Sequence, residues 1–262
     1  MLKAHPKHKK GLVLLIIFIV IGFILFLGNK YYNMYYDKYT KDIATPYEAM
    51  LTFSKVQYND TTEHHVLCIG NSLAYHKPTD LWKSSWGMAA SCKDSDYCHR
   101  LEQMFKILNK KSTVTPIYFA KWEHNPKSNI DSLLGNTILG KDIIIIQLGE
   151  NVKKVKQYHE DLNKLVEKCQ LFTDKILLTG CFWRRPDVER QIIRVAREKG
   201  LRYVPLLWIG INYKEEVFPS NKDYFISDSG ESYTIDYKAI LRHPNDYGMR
   251  LIAESIFYSL NF

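Results

Sequence analysis

The stretch Val66-Leu67-Cys68-Ile69-Gly70-Asn71-Ser72-Leu73 decides the fold. Four apolar residues run into Gly-Asn-Ser, and Leu-Ala-Tyr follows. The pattern predicts a short buried strand, a sharp turn and the start of a helix. Gly70 suits the backbone angles of a tight turn. Ser72 then stands at the C-terminal end of a strand, where open α/β sheets place their ligands. A helix N-terminus beside it favours developing negative charge.

Outward from that strand, the chain alternates between two periodicities. Tyr97–Asn109 has the apolar spacing of a helix, and Val114–Ala120 reads as a second strand. Asp142–Gly149 is the strongest strand, because its unbroken β-branched run suits a central parallel strand covered on both faces. A long helix is expected over Val152–Phe172, a strand over Lys175–Phe182, and a proline-opened helix over Pro186–Lys199. A strand over Arg202–Trp208 and a closing helix over Asn245–Leu260 complete the order. Alternation of this kind implies an α/β, flavodoxin-like, doubly wound parallel sheet of five strands, in the order 2-1-3-4-5.

The N-terminus has a different character. Residues 1–10 carry four lysines and no acid, and Gly11–Gly28 contains no charge at all. That run approaches the ~20 residues that span a bilayer. It lacks a small-residue cleavage site, and tyrosines 31, 32, 35 and 36 resemble an interfacial aromatic belt. We therefore expect a cytoplasmic basic tail over 1–10, a transmembrane signal anchor over 11–29, a stalk over 30–61 and one folded domain over 62–262. The preceding lysines predict that this domain lies outside the cytoplasm, in a periplasm or at a cell surface.

Charge and cysteine usage narrow the function classes. Five of the eight net positive charges lie in residues 1–30, so the domain is only mildly basic, which argues against a nucleic-acid partner. The chain has five cysteines and no Cys-x-x-Cys. Cys92 and Cys98 lie close enough in sequence to pair in an oxidising compartment, while Cys68 and Cys181 read as small buried residues. No histidine spacing suggests a metal site, and no cofactor is implied.

Two later stretches carry chemistry. Gln147-Leu148-Gly149-Glu150-Asn151 ends the central strand. Its Asn151 amide is placed either to donate to an oxyanion or to cap the next helix. Arg242-His243-Pro244-Asn245-Asp246-Tyr247-Gly248-Met249 sets a histidine just before the last helix. There it is able to take a serine proton, although a surface histidine in a helix-starting turn has the same sequence. Trp82 and Trp86 follow Ser72 closely and read either as a sugar-stacking wall or as a core pair. Trp183 and Arg184 follow the fourth strand on the same edge, where an arginine suits an anionic substrate group or a solvated turn.

Taken together, these blocks resemble the SGNH, or GDSL-like, hydrolase family. Gly70-Asn71-Ser72-Leu73 is similar to its first block, with Asn71 in place of the usual Asp. Gly149-Glu150-Asn151 is similar to its Gly-x-Asn block, and His243-Pro244-Asn245-Asp246-x-Gly248-Met249 to its last. The resemblance spans about 66–258 and implies Ser72 as nucleophile and His243 as base. It also implies an oxyanion hole from the Ser72 N–H and Asn151, to which we add Gly149, and no cofactor. Two positions depart from the family. Ile240 stands where an Asp is usual, so Asp236, Asp228, Asp246 or a backbone carbonyl is needed to orient His243, and we assign Asp236. No glycine follows the second strand, so an N–H from Lys121–Glu123, or from Gly87, is expected as the remaining oxyanion donor. Asn71, Trp82, Trp86, Trp183 and Arg184 are taken as substrate-binding. The expected activity is a membrane-anchored serine esterase or O-acyltransferase acting on acylated, most plausibly acetylated, envelope glycans. The alternatives are a lipid esterase or thioesterase, and a non-catalytic glycan-binding or envelope-assembly protein on the same scaffold.

Overall fold

A computed structural model describes residues 17–31 and 61–260. The chain divides into two compact units, Met1–Thr45 and Pro46–Phe262. In the first, residues 17–31 form a helix (α1) whose side chains are exposed throughout. Among the described residues no helix is long and apolar enough to cross a membrane. The basic tail, the first residues of the predicted span (11–16) and most of the stalk (32–60) lie outside the described residues.

The second unit is built on five parallel strands: β1 His65–Gly70, β2 Thr113–Tyr118, β3 Ile143–Gln147, β4 Ile176–Thr179 and β5 Arg202–Val204. Their order is β2-β1-β3-β4-β5, as the alternation predicts. All five residues of β3 are buried, which explains its run of four isoleucines before Gln147. Side chains alternate between the two faces of the sheet. Leu67, Ile69, Ile144, Ile146 and Leu178 share one core with helices α5 (Val155–Gln170) and α6 (Pro186–Lys199). On the opposite face α2 (Tyr97–Leu108) packs on α8 (Asp246–Ser259), and Phe105 meets Phe257 edge-on with centroids 5.4 Å apart.

The ends of these elements differ from expectation in ways that matter to the site. The second strand stops at Tyr118, and Ala120–His124 turns at once into a short helix, α3. A second short helix, α4 (Ile130–Leu134), follows. The fifth strand ends at Val204, and the apolar residues beyond it form α7 (Leu207–Asn212). A two-stranded hairpin, β6 (Tyr224–Ile226) and β7 (Ser232–Thr234), then precedes α8 and has no counterpart in the sequence-based expectation.

Register sets the functional edge. Gly70 pairs with Tyr118 on one side and Gln147 on the other, so β1, β2 and β3 end together. Gly70 is needed there for space, because a Cβ would collide with Ala74 Cβ and press on Gln147 Oε1.

Candidate active site

The turn after β1 is closed by its own side chain. Asn71 Oδ1 accepts the Leu73 N–H at 3.1 Å, and the Asn71 carbonyl accepts those of Ala74 and Tyr75. This lifts Ser72, half-buried, to the sheet edge. Asn71 is 0% exposed, and its Nδ2 donates to Glu150 Oε2 at 2.6 Å. Its assignment as a substrate contact is therefore corrected: it ties the first strand's turn to the third's.

His243 reaches the same edge from the loop before α8. Asn245 caps that helix, its Oδ1 accepting the N–H groups of Tyr247 and Gly248. The Ser72 hydroxyl donates to His243 Nε2 at 2.9 Å. His243 Nδ1 faces the carbonyls of Ala239 at 3.0 Å and Ile240 at 3.2 Å. Two acceptors there require the proton on Nδ1, which leaves the Nε2 lone pair for the serine. Burial pushes the imidazole pKa down to about 4; the two carbonyl bonds oppose this, and nearby His76 adds to it. The ring is thus neutral near pH 7, the form a base requires.

Asp236 does not orient the histidine. Its neighbour Ile235 and, further on, Ile240 are the buried anchors of this segment, which leaves Asp236 on the outer side. Among the described residues no hydrogen bond joins Asp236 to His243. Asp228 is taken by the N–H and hydroxyl of Ser85, and Asp246 by those of Ser91. Trp183 braces the ring instead: it meets His243 edge-on at 5.1 Å, and its Nε1 donates to the Arg242 carbonyl at 3.1 Å. Arg184 is exposed beyond it.

Two further assignments change on the other side of Ser72. Gly149 has φ +145, and a Cβ would stand 2.6 Å from Cys181 Sγ, so only glycine fits. Its N–H donates to Glu123 Oε1 at 2.6 Å and is not available to an oxyanion. Asn151 is not the helix cap, because α5 begins after Lys154. Its Nδ2 donates to Glu123 Oε2 at 2.8 Å, and its N–H to Oε1 at 3.3 Å. A primary amide carries two hydrogens, so one remains for a substrate oxygen. Of the candidates for the remaining donor, Gly87 gives its N–H to Asp96, and Trp122 and Glu123 give theirs to the Phe119 carbonyl. No acceptor is described for the Lys121 N–H, at the first turn of α3.

The tryptophan wall is also corrected. Trp82 is 0% exposed and Trp86 is buried; they meet edge-on at 6.3 Å, and Phe225 and Tyr233 of the hairpin complete the cluster around Trp82. The segment they anchor acts as a strap. Met88 N–H donates to the Ser72 carbonyl at 2.8 Å, while Ser91 binds Asp246 near the histidine. Cys92 contacts the Ser95 hydroxyl, Cys98 is buried, and all five cysteines are free thiols. Among the described residues no group of three or more His, Cys, Asp or Glu is arranged to hold a metal ion.

Sequence reasoning missed three carboxylates beneath the site, Glu123 and Glu189 buried and Glu150 half-buried. Glu123 holds Gly149 and Asn151 as described. Glu150 accepts from Asn71, from Gln147 Nε2 at 3.0 Å and from the Phe182 N–H at 3.0 Å. Glu189 accepts from the Cys181 N–H at 2.9 Å and from the Tyr203 hydroxyl. Burial raises the pKa of all three, to about 7 for Glu123 and for Glu189. The available signal was position: Glu150 follows a fully buried strand closely, and Glu189 lies beside Val188 on the buried face of its helix.

No protein-family model matches the chain, and no curated protein does. Solved structures do match. Two catalytic mutants of an acetylxylan esterase from Geobacillus stearothermophilus are similar, with TM-scores of 0.52 and 0.51 at 12% and 14% identity. Each covers 77% of this chain and 97% of the esterase. The chain has the fold of this esterase. An alpha/beta hydrolase enzyme from the metagenome of Lake Arreo is similar at a TM-score of 0.50 and 13% identity, over 76% of this chain and 96% of that one. A two-domain esterase active on acetylated mannans aligns at 18% identity with a TM-score of 0.48, and this chain spans 48% of its length. The shared fold agrees with the resemblance to the SGNH hydrolases.

Proposed function

We propose that this protein is a serine esterase, or an acyltransferase of the same chemistry, acting on acetylated glycans through Ser72 and His243. The observation that carries the reading is the 2.9 Å contact from the Ser72 hydroxyl to Nε2 of a histidine whose other nitrogen is fixed by two carbonyls. Ser72 Oγ attacks the ester carbonyl as its proton passes to His243 Nε2. The Ser72 N–H, the second hydrogen of the Asn151 amide and the Lys121 N–H hold the resulting oxyanion. Collapse expels the alcohol, which takes the proton back from His243. Water or a sugar hydroxyl then attacks the acyl-enzyme by the same route. Trp183, beside His243, and the exposed Arg184 are the residues placed to meet the glycan.

Acetyl as the acyl group rests on the acetylxylan esterase that shares the fold. In the same reading residues 11–29 anchor the protein in a membrane with the domain outside the cytoplasm, on the strength of the lysine cluster and the uncharged run that follows it. The non-catalytic alternative drew on Ile240; the carbonyls at His243 Nδ1 favour the enzyme instead. The test is acetate release from acetylated xylan and acetylated mannan by the full chain and by Ser72→Ala. Release that disappears with Ser72 is expected. Release that survives in the variant, or none from either glycan or from a simple acetyl ester, contradicts the proposal.

A further inference from the structure

Glu123 has no place in the reaction as set out above, yet its carboxylate holds the Asn151 amide. It comes from α3, directly after β2, and is 2% exposed. Its carboxylate receives three bonds, and all converge on one turn. Oε1 takes the N–H groups of Gly149 and Asn151, and Oε2 takes the Asn151 amide. Every partner is a donor, so the site is built for a group that only accepts. A carboxylate is such a group; a carboxylic acid or a primary amide would turn one of its own hydrogens toward a donor.

We propose that Glu123 is the positioning residue of the oxyanion donor: as a carboxylate it holds the Asn151 amide and the 149–151 turn in the orientation that presents the free amide hydrogen to the substrate. This rests on the esterase reading above. Glu150 and Glu189 also accept several bonds, but neither accepts from Asn151. The additional bond from Oε2 to the Asn151 side chain links Glu123 to the chemistry.

The surroundings make this arrangement sensitive to pH. The groups that face Glu123 are Glu150 in the same turn, Tyr118 at the end of β2, Tyr158 on α5 and Cys181 after β4. None is a cation. Arg185, just before α6, gives its guanidinium to the carbonyls of Glu150 and Val152. Burial and the charge of Glu150 raise the Glu123 pKa to about 7, against the pull of its three donors. Below that pH the protonated form dominates and one of the three bonds is lost. Turnover then rises with pH through about 7, well above the point near 4 at which His243 becomes neutral.

The test uses the full chain in detergent, with p-nitrophenyl acetate as substrate, and compares Glu123→Gln, Asn151→Ala and the double variant across the acid and neutral range. In the wild type, kcat should rise through about pH 7. Glu123→Gln should lose roughly 10²-fold in kcat, the scale of one oxyanion donor. It should keep KM, lower the thermal midpoint modestly because one buried donor loses its acceptor, and show no rise near neutrality. Adding it to Asn151→Ala should cost nothing more. If Glu123→Gln fails to fold, Asn151→Ala still decides, since removing the amide should remove the rise near pH 7. An unchanged kcat in Glu123→Gln, a full additional loss in the double variant, or a wild-type profile that rises near pH 4 alone would overturn the proposal. Absence of any Ser72-dependent turnover would bring down the esterase reading, and this proposal with it; Ser72-dependent turnover without the Glu123 effects would bring down this proposal alone.

Discussion

The two sides of Ser72 are supported in opposite ways. On the base side, where the resembled family uses a carboxylate, His243 is held by two neutral carbonyls. On the proposed oxyanion side, Asn151 is held by a carboxylate. The difference shows which demand each support meets. A histidine base needs its tautomer fixed, and any acceptor at Nδ1 does that. A carbonyl stabilises the imidazolium less than a carboxylate would, and the low pKa of His243 is consistent with that. An amide donor needs both of its hydrogens directed, and a buried carboxylate that accepts from the amide and from the adjacent backbone directs it firmly.

The comparison breaks most easily at the histidine. His243→Ala should reduce acetyl-ester turnover by roughly 10⁴-fold or more, the scale seen when a base that acts as a unit with its serine is lost. A steady-state assay alongside circular dichroism would check that the fold survives. Ile240→Asp asks whether the base side lacks only a carboxylate. Ile240 is 4% exposed, so an aspartate there buries an unpaired charge. We expect a loss of about 3–5 kcal/mol of stability and no gain in turnover. Urea midpoints and kcat measured together would reveal a rescue, and a rescue would mean that the carbonyls are a poor substitute.

The sheet was legible because its signals are local. The isoleucine run of β3, the turn chemistry of Gly70-Asn71-Ser72 and the cap at Asn245 each follow from residues adjacent in sequence. What escaped reading depends on partners far apart. Glu123 lies 26 residues from Gly149, and nothing in Trp122-Glu123-His124 announces a buried acid. Trp82 and Trp86 could be read as a substrate wall or a core pair because the hairpin that covers Trp82 has strands of only three residues each, too short to give a strand pattern. Asp236 was one of several acids near His243 in sequence, and the buried side chains of Ile235 and Ile240 decide which way that segment faces.

A smaller effect sharpens the comparison through stability. Glu123 and Glu189 have folded pKa values near 7, above their unfolded values, so the folded state binds more protons than the unfolded between about pH 4.5 and 7. They therefore lower stability as pH rises through that window. His243, with its folded pKa depressed to about 4, acts in the opposite sense: its neutral form costs nothing above about pH 6.5, and stability falls as pH drops toward 4. Urea midpoints across this range should fall with rising pH, and less steeply in Glu189→Gln. A midpoint that climbs through the window would contradict the carboxylate assignments. The smallest effect is expected at Asp236→Asn, where turnover should stay within about twofold and stability within ~0.5 kcal/mol, as for an exposed side chain away from the site. A large loss of turnover in that variant would restore a carboxylate to the base side.

The most direct test is covalent labelling of the full chain with a fluorophosphonate, which reacts with a serine only when a neighbouring base activates it. Labelling of the wild type that is lost in both Ser72→Ala and His243→Ala is the expected result. A folded protein that takes no label, or one that labels equally well without His243, would contradict a serine activated by a carbonyl-held histidine.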